Sequence, residues 1–579
     1  MGACRGGEAS SMRNKVCLLL FLFVFALGSL YAEENVPEKN VMIASYQFTI
    51  TGKTDEQAVR RAIIPDGDEL FASEEELVAA LEAKKQKLVN FRVFSSVEYD
   101  YTNTNASKGI SFYQVHFTIA PPASILPFPY GKYDSNYGLR IGMKLYDKNL
   151  FGQLANLYIV AHATQQDSTF KKGSYYGEVD VNEVPLWGKV KLDMIAKFTY
   201  DIKDASKTQF KFNLNTRNIL LGNKALNLNP WFYISPIDKS SNQSAWGFTE
   251  VGNALNLGPF ALVLGGFSLY NKTYANFSDG KTMSNAYTLT YLRFHGLKIA
   301  KKNFDSRISL ETYGDNFGVL KKMIIGETIG VGFNFAKGWL TWYNELSQYN
   351  TLAPSNPLMY GLSFQWGSTL SHSGINWVGD FRKGVSLKLH SEVEWFPKKT
   401  YEGRPISLNG WRDWYYIEAM ATWFPFVSSW FNPSFRLAGR QTDKTTYFLP
   451  GATDETIGEY IRGVRDDNSL LPQTTTFSQT TAFTLNCNFT MKFINLGSFA
   501  RTYVNPFMDF LLINEAGDPS AMHFLSTIGF EGIGILNKFP AYPVRVSLGF
   551  NLNDIIDKIK GTSTHAVEYE LFIGMYFFF

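Results

Sequence analysis

The chain has 579 residues, of which 16% are aromatic and 18% charged, with 47 Gly and a mean hydropathy of −0.13. That mean is too polar for a bundle of membrane helices, and beyond the N-terminus no long apolar run occurs. A formal net charge of +3 gives no basic field for nucleic acid. Cys4, Cys17 and Cys487 are too few and too scattered for a disulfide framework.

Residues 1–32 read as a secretory signal peptide. Arg13 and Lys15 form its positive start, Val16 to Leu30 its apolar run, and cleavage is placed after Ala32, before Glu33-Glu34. Residues 41–120 then read as a small α+β domain. Met42, Ala44, Tyr46, Phe48 and Ile50 alternate as a half-buried strand. Thr54 with Gln57, and Ser73 with Glu76, have the spacing of capping boxes. The first box opens a short helix carrying Val59, Ala62 and Ile63. The second opens a longer one, Glu74 to about Asn90, with Leu77, Leu81 and Leu88 on one side. Two alternating strands follow, at Val97–Tyr101 and Tyr113–Ile119, so the expected order is β-α-α-β-β. Pro121, Pro122 and Pro127 mark a linker, 121–136.

From residue 137 to 579 the pattern is repeated alternation. Leu139, Ile141, Met143 and Leu145 oppose Arg140, Gly142 and Lys144. Val385, Leu387 and Leu389 oppose Ser386, Lys388 and His390, and Val544, Val546 and Leu548 oppose Arg545, Ser547 and Gly549. A strand between lipid and a wet lumen needs this pattern. A soluble sandwich strand alternates too, but many long strands behind a signal peptide favour a membrane barrel. The fold class is therefore mainly β, a transmembrane antiparallel β-barrel behind one small α+β domain. At roughly ten residues per strand, sixteen strands are expected, with 271–285, 399–412 and 440–480 as long extracellular loops. The last strand shows one unbroken apolar face: Val567, Tyr569, Leu571, Ile573, Met575, Phe577 and Phe579.

These features resemble a known superfamily: the BamA-type outer-membrane assembly proteins and two-partner-secretion translocators. Residues 41–120, and Lys87–Val97 most closely, resemble the family's periplasmic POTRA domain. Ile461-Arg462-Gly463 in the long loop resembles the family's arginine-glycine signature, whose arginine meets an acidic residue on the inner wall. Asp509 stands where the family places that Asp. Val464 replaces a usual aromatic, Phe510 and Leu511 replace small residues, and Asn488 stands where many relatives carry Glu. Asn149–Gly152 resembles the turn after the family's first barrel strand. The C-terminal series Leu571, Ile573, Met575, Phe577 and Phe579 resembles the signal by which outer-membrane barrels are recognised for insertion.

The resemblance implies an outer-membrane barrel with its N-terminal domain in the periplasm, acting in insertion or translocation of client proteins. Its partners would be the bilayer and, at the POTRA-like domain, unfolded clients or periplasmic proteins. The seam between the first strand, about 137–146, and the last, 566–579, would open laterally. The rival reading is a passive porin or surface antigen that keeps the fold without that activity. An enzyme is not expected: seven scattered His, no His-Glu-x-x-His and no Gly-x-Ser-x-Gly leave no catalytic motif, metal site or cofactor.

Overall fold

In the computed structural model, the described residues are 40–64, 69–107, 110–120, 126–134, 138–166, 169–187, 190–202, 208–221, 224–235, 241–252, 266–277, 283–299, 302–315, 319–335, 339–352, 361–395, 400–401, 404–405, 414–442, 461–462, 481–515, 518–540 and 542–575. The expected signal peptide lies outside them, as do Gly463, Phe577 and Phe579. No described helix is long and apolar enough to cross a membrane.

The N-terminal elements are β1 (Val41–Ile50), α1 (Glu56–Ile63), β2 (Leu70–Phe71), α2 (Glu74–Asn90), β3 (Val97–Ser107) and β4 (Ile110–Ile119). The four strands form a sheet in the order β2-β1-β4-β3. Helix α2 has the bounds its sequence suggests. Glu76 N–H donates to Ser73 Oγ at 3.3 Å, the forward bond of a capping box, and the Glu76 carboxylate reaches back one residue beyond the cap, accepting from Ala72 N–H at 2.7 Å. Leu77, Leu81 and Leu88 are fully buried. The cap of α1 differs from expectation. Asp55, not Thr54, accepts from Gln57 N–H at 2.9 Å, because Thr54 Oγ is taken by Asn149 Nδ2 at 2.9 Å. The buried residues of α1 are Ala58, Val59 and Ile63, with Ala62 half-buried.

By contacts the chain divides into two units. One comprises residues 1–47, 65–83 and 99–117. Within it Tyr46 donates to Glu69, Tyr113 donates to Glu74 at 3.1 Å, and Phe117 packs against Tyr46 and Tyr99. The other comprises 48–64, 84–98 and 118–579, and holds a large antiparallel sheet whose pairing order returns to its start.

Two expectations about that sheet are corrected. The linker 121–136 contains a strand, β5 (Leu126–Asp134), which pairs with β6 (Gly138–Leu150) on one side and with the last strand, Tyr569–Met575, on the other. Pro127 and Pro129 read as breakers because they lack the N–H a ladder needs. Among the described residues, the pairs of β5 with the last strand run only over Gly131–Asp134, beyond both prolines. The first strand is thus β5, and Asn149–Gly152 turns the chain after the second strand. The strand number is also higher than sixteen. The pairing order contains 24 segments. The short strands Lys224–Leu228 and Trp231–Ser235 share the same two neighbours, and Asn376–Val378 belongs to a turn, but the ring still exceeds the expectation. Part of the reason is 271–285, expected as a loop. It lies largely in the strands Gly266–Phe277 and Met283–Ile299, where Asn271 and Thr273 interrupt the apolar face. Residues 399–412 and 440–480 lie mostly outside the described residues.

Burial in the sheet is inverted relative to a water-soluble protein. Ile141, Met143, Phe198, Ile308, Leu346, Leu389, Leu437, Phe483, Phe524, Phe530 and Val546 are exposed on one face. On the other, Ser347, Asn486, Asp509, Thr527 and Glu531 are almost wholly buried. An apolar outer belt around a polar interior is stable only where the surroundings are apolar.

Candidate functional site

The long strand Ala500–Glu515 directs its odd-numbered residues inward, and Tyr503, Asn505, Phe507, Asp509, Leu511 and Ile513 are all buried. Asp509 meets Arg462 there. Arg462 Nε and backbone N–H donate to Asp509 Oδ2 at 2.8 and 3.0 Å, and Nη2 donates to Oδ1 at 2.7 Å. This is a forked pair reinforced by one backbone bond. The guanidinium lies 3.6 Å from the Phe507 ring centroid. Ile461 beside it is fully buried.

A second carboxylate is present that the sequence did not single out. Arg462 Nη1 is 3.2 Å from Glu531 Oε1, and Arg545 Nη1 donates to that same oxygen at 3.0 Å. Asn505 Nδ2 donates to Glu531 Oε2 at 2.7 Å. Two arginines and two carboxylates thus balance in a buried network. Asn488, placed where a Glu was anticipated, accepts from Asn505 Nδ2 at 3.2 Å and donates to Ser434 at 3.4 Å. The acid is supplied two strands further on, by Glu531 of Asp518–Leu536. Glu531 and Arg545 are opposite charges at inward positions of successive strands, brought onto a diagonal by the register that sets Glu531 against Ser547. Phe510, which departs from the family pattern, faces outward and stacks on Phe524 at 6.0 Å.

Leu571 and Ile573 of the terminal series face outward and are exposed, and Met575 ends the last described strand. Phe577 and Phe579 lie outside the described residues. Among the described residues, the last strand pairs with β5 from Glu570–Asp134 to Ile573–Gly131.

A further cluster gathers residues of the larger unit around Asp380. Arg92, held at φ 61, donates to the carbonyl oxygens of Pro540 and Gly379 and to Asp380, and lies 4.1 Å from the Trp377 ring centroid. Arg501 and Tyr503 also donate to Asp380. Burial alone would raise the Asp380 carboxyl, but the bonds from Arg501 and Tyr503 outweigh it and hold the group below its usual range. The first turn is tied in similarly. Asp55 N–H donates to Gly152 O at 2.9 Å, and Gln153 Nε2 donates to the Asp55 carboxylate at 2.7 Å. Gly152 has φ 76, and a Cβ there would lie 2.0 Å from Lys53 O, so only glycine fits.

Among the described residues no group of His, Cys, Asp or Glu could hold a metal ion.

No family model matches the chain, and no curated protein matches it. Among solved structures it aligns with BamA from Haemophilus ducreyi lacking POTRA domains 1–3, at 10% identity over 94% of this chain and 86% of that one, with a TM-score of 0.29. It aligns with CdiB from Acinetobacter baumannii at 10% identity over 93% and 74%, TM-score 0.34. It also aligns with the FrpB iron transporter from Neisseria meningitidis at 8% identity over 83% and 87%, TM-score 0.45. At these values the functional reading rests on the chain's own geometry.

Proposed function

We propose that the chain is an outer-membrane barrel that inserts or translocates client proteins, lending the edge of its seam to client strands. The observation that carries this reading is the junction of the first strand, β5, with the last, Tyr569–Met575, where the sheet closes on itself and, among the described residues, the ladder runs from Glu570–Asp134 to Ile573–Gly131. Pro127 and Pro129 remove two donors from β5. Opening this junction frees a strand edge, which offers a template that spares a client unsatisfied backbone groups in lipid. The small N-terminal sheet, with β3 at its edge, fits a POTRA-like role of receiving extended segments on the periplasmic side. Arg462 would hold the long loop inside the lumen, and the outward terminal series would serve the chain's own assembly.

The rival is a passive channel. What favours it is the number of strands, since a wider ring encloses a wider lumen. Depleting the protein in its native cell separates the two. The proposed function predicts loss of unrelated barrels from the outer membrane within a few generations. Loss of small-solute uptake alone, with other barrels at normal levels, would overturn it.

A further inference from the structure

The strand Val319–Phe335 turns Ile325 and Ile329 to the outer face, and both are exposed. Between them on that face stands Glu327, also exposed. Its neighbour on the strand Lys302–Asp315 is Ile308, exposed as well. On the other side its register partner is Gln348, of the strand Leu340–Leu352, followed outward by exposed Asn350 and flanked by exposed Leu346. No hydrogen bond or ion pair engages Glu327 or Gln348 within the described residues. Asn344, on the same face of that strand, is buried with neither amide atom bonded.

On the reading that the outer belt faces lipid, this arrangement is costly for a lone chain. A carboxylate at mid-strand is too far from either headgroup layer to reach water, and ionisable groups at such depth are kept where they have a partner. We propose that this wall is the interface of a two-fold dimer, in which Glu327 of each copy accepts a hydrogen bond from Gln348 of the other. The occupant follows from self-complementarity. Glu327 is an acceptor and Gln348 a donor, and they sit side by side in register. A two-fold axis passing between them sets each against its counterpart, so both bonds form at once. A heterologous partner would have to supply one donor and one acceptor in matching order. Ile308, Ile325, Ile329 and Leu346 around the pair supply the apolar packing that any lipid-embedded interface needs.

The test uses the full chain extracted in mild detergent. Wild type should run as a dimer by native mass spectrometry. Glu327→Leu should lower the dimer fraction on the order of a hundredfold, because two lipid-shielded hydrogen bonds are lost together. Glu327→Gln, which can still accept from Gln348, should keep most of it. Co-expression of a Glu327→Cys chain and a separately tagged Gln348→Cys chain, both carrying Cys487→Ser, should give a heterotypic disulfide in intact membranes. That crosslink decides the matter even if Glu327→Leu fails to fold. Heat-modifiable monomers with no crosslink would overturn the interface while leaving the barrel reading intact, as would a crosslink to a different protein. Loss of heat-modifiability in the wild type would instead overturn the barrel reading on which the interface rests.

Discussion

Replacing Arg462 by Ala should destabilise the barrel by on the order of 3–5 kcal/mol, the cost of leaving a buried carboxylate without its cation. Arg462 is buried, its three bonds to Asp509 converge on one carboxylate, and Asp509 is fully shielded. Water entering the lumen would reduce the figure. Glu531 should suffer less, because Arg545 and Asn505 still hold it. A double-mutant cycle on barrel melting should therefore give a larger coupling for Arg462→Ala with Asp509→Asn than for Arg462→Ala with Glu531→Gln. Equal or vanishing couplings would show that the forked pair does not hold the loop. A buried pair of this kind need not add stability over an apolar contact. What it supplies is a fixed seat for the loop, the guanidinium held by the forked bonds to Asp509 and stacked on the Phe507 ring.

Joining Gly131→Cys to Ile573→Cys by a disulfide should abolish client insertion while leaving the barrel assembled and heat-modifiable. The two positions are register partners across the seam. Opposed residues in an antiparallel ladder stand at about 4.5–5.5 Å between Cα atoms, within the range a disulfide spans. A Cβ at Gly131 meets nothing closer than Arg140 O at 3.9 Å. Reduction should restore insertion fully. Undiminished insertion in the oxidised protein would mean that the seam does not open.

Much of the barrel is legible from alternation alone, because a strand's two faces meet opposite environments. Ile141 and Val546 face outward and Arg545 inward, as their order in the sequence suggests. Helix α2 is legible from its capping box and its leucines, which are local signals. Strand β5 is not, since prolines normally end strands or stay at their margins. The extra strands are hidden where Asn271, Thr273 and Glu327 break the apolar face. Arg462 and Asp509 could be named from a family-like motif. Glu531 depends on the register between two strands, which a one-dimensional pattern does not carry. Arg92 is further from reach still, because its partners Gly379, Asp380 and Pro540 lie hundreds of residues away along the chain.

The most direct measurement is capture of a client at the seam in living cells. A photo-crosslinking residue is placed at Lys132 in β5 or at Phe572 in the last strand, two positions paired in register. If the seam lends its edge to clients, the terminal strands of newly made outer-membrane barrels should be captured at Lys132 and at Phe572, and capture should vanish when the Gly131–Ile573 disulfide is closed. Crosslinks confined to lipid or to the chain itself, with barrel synthesis under way, would contradict the account.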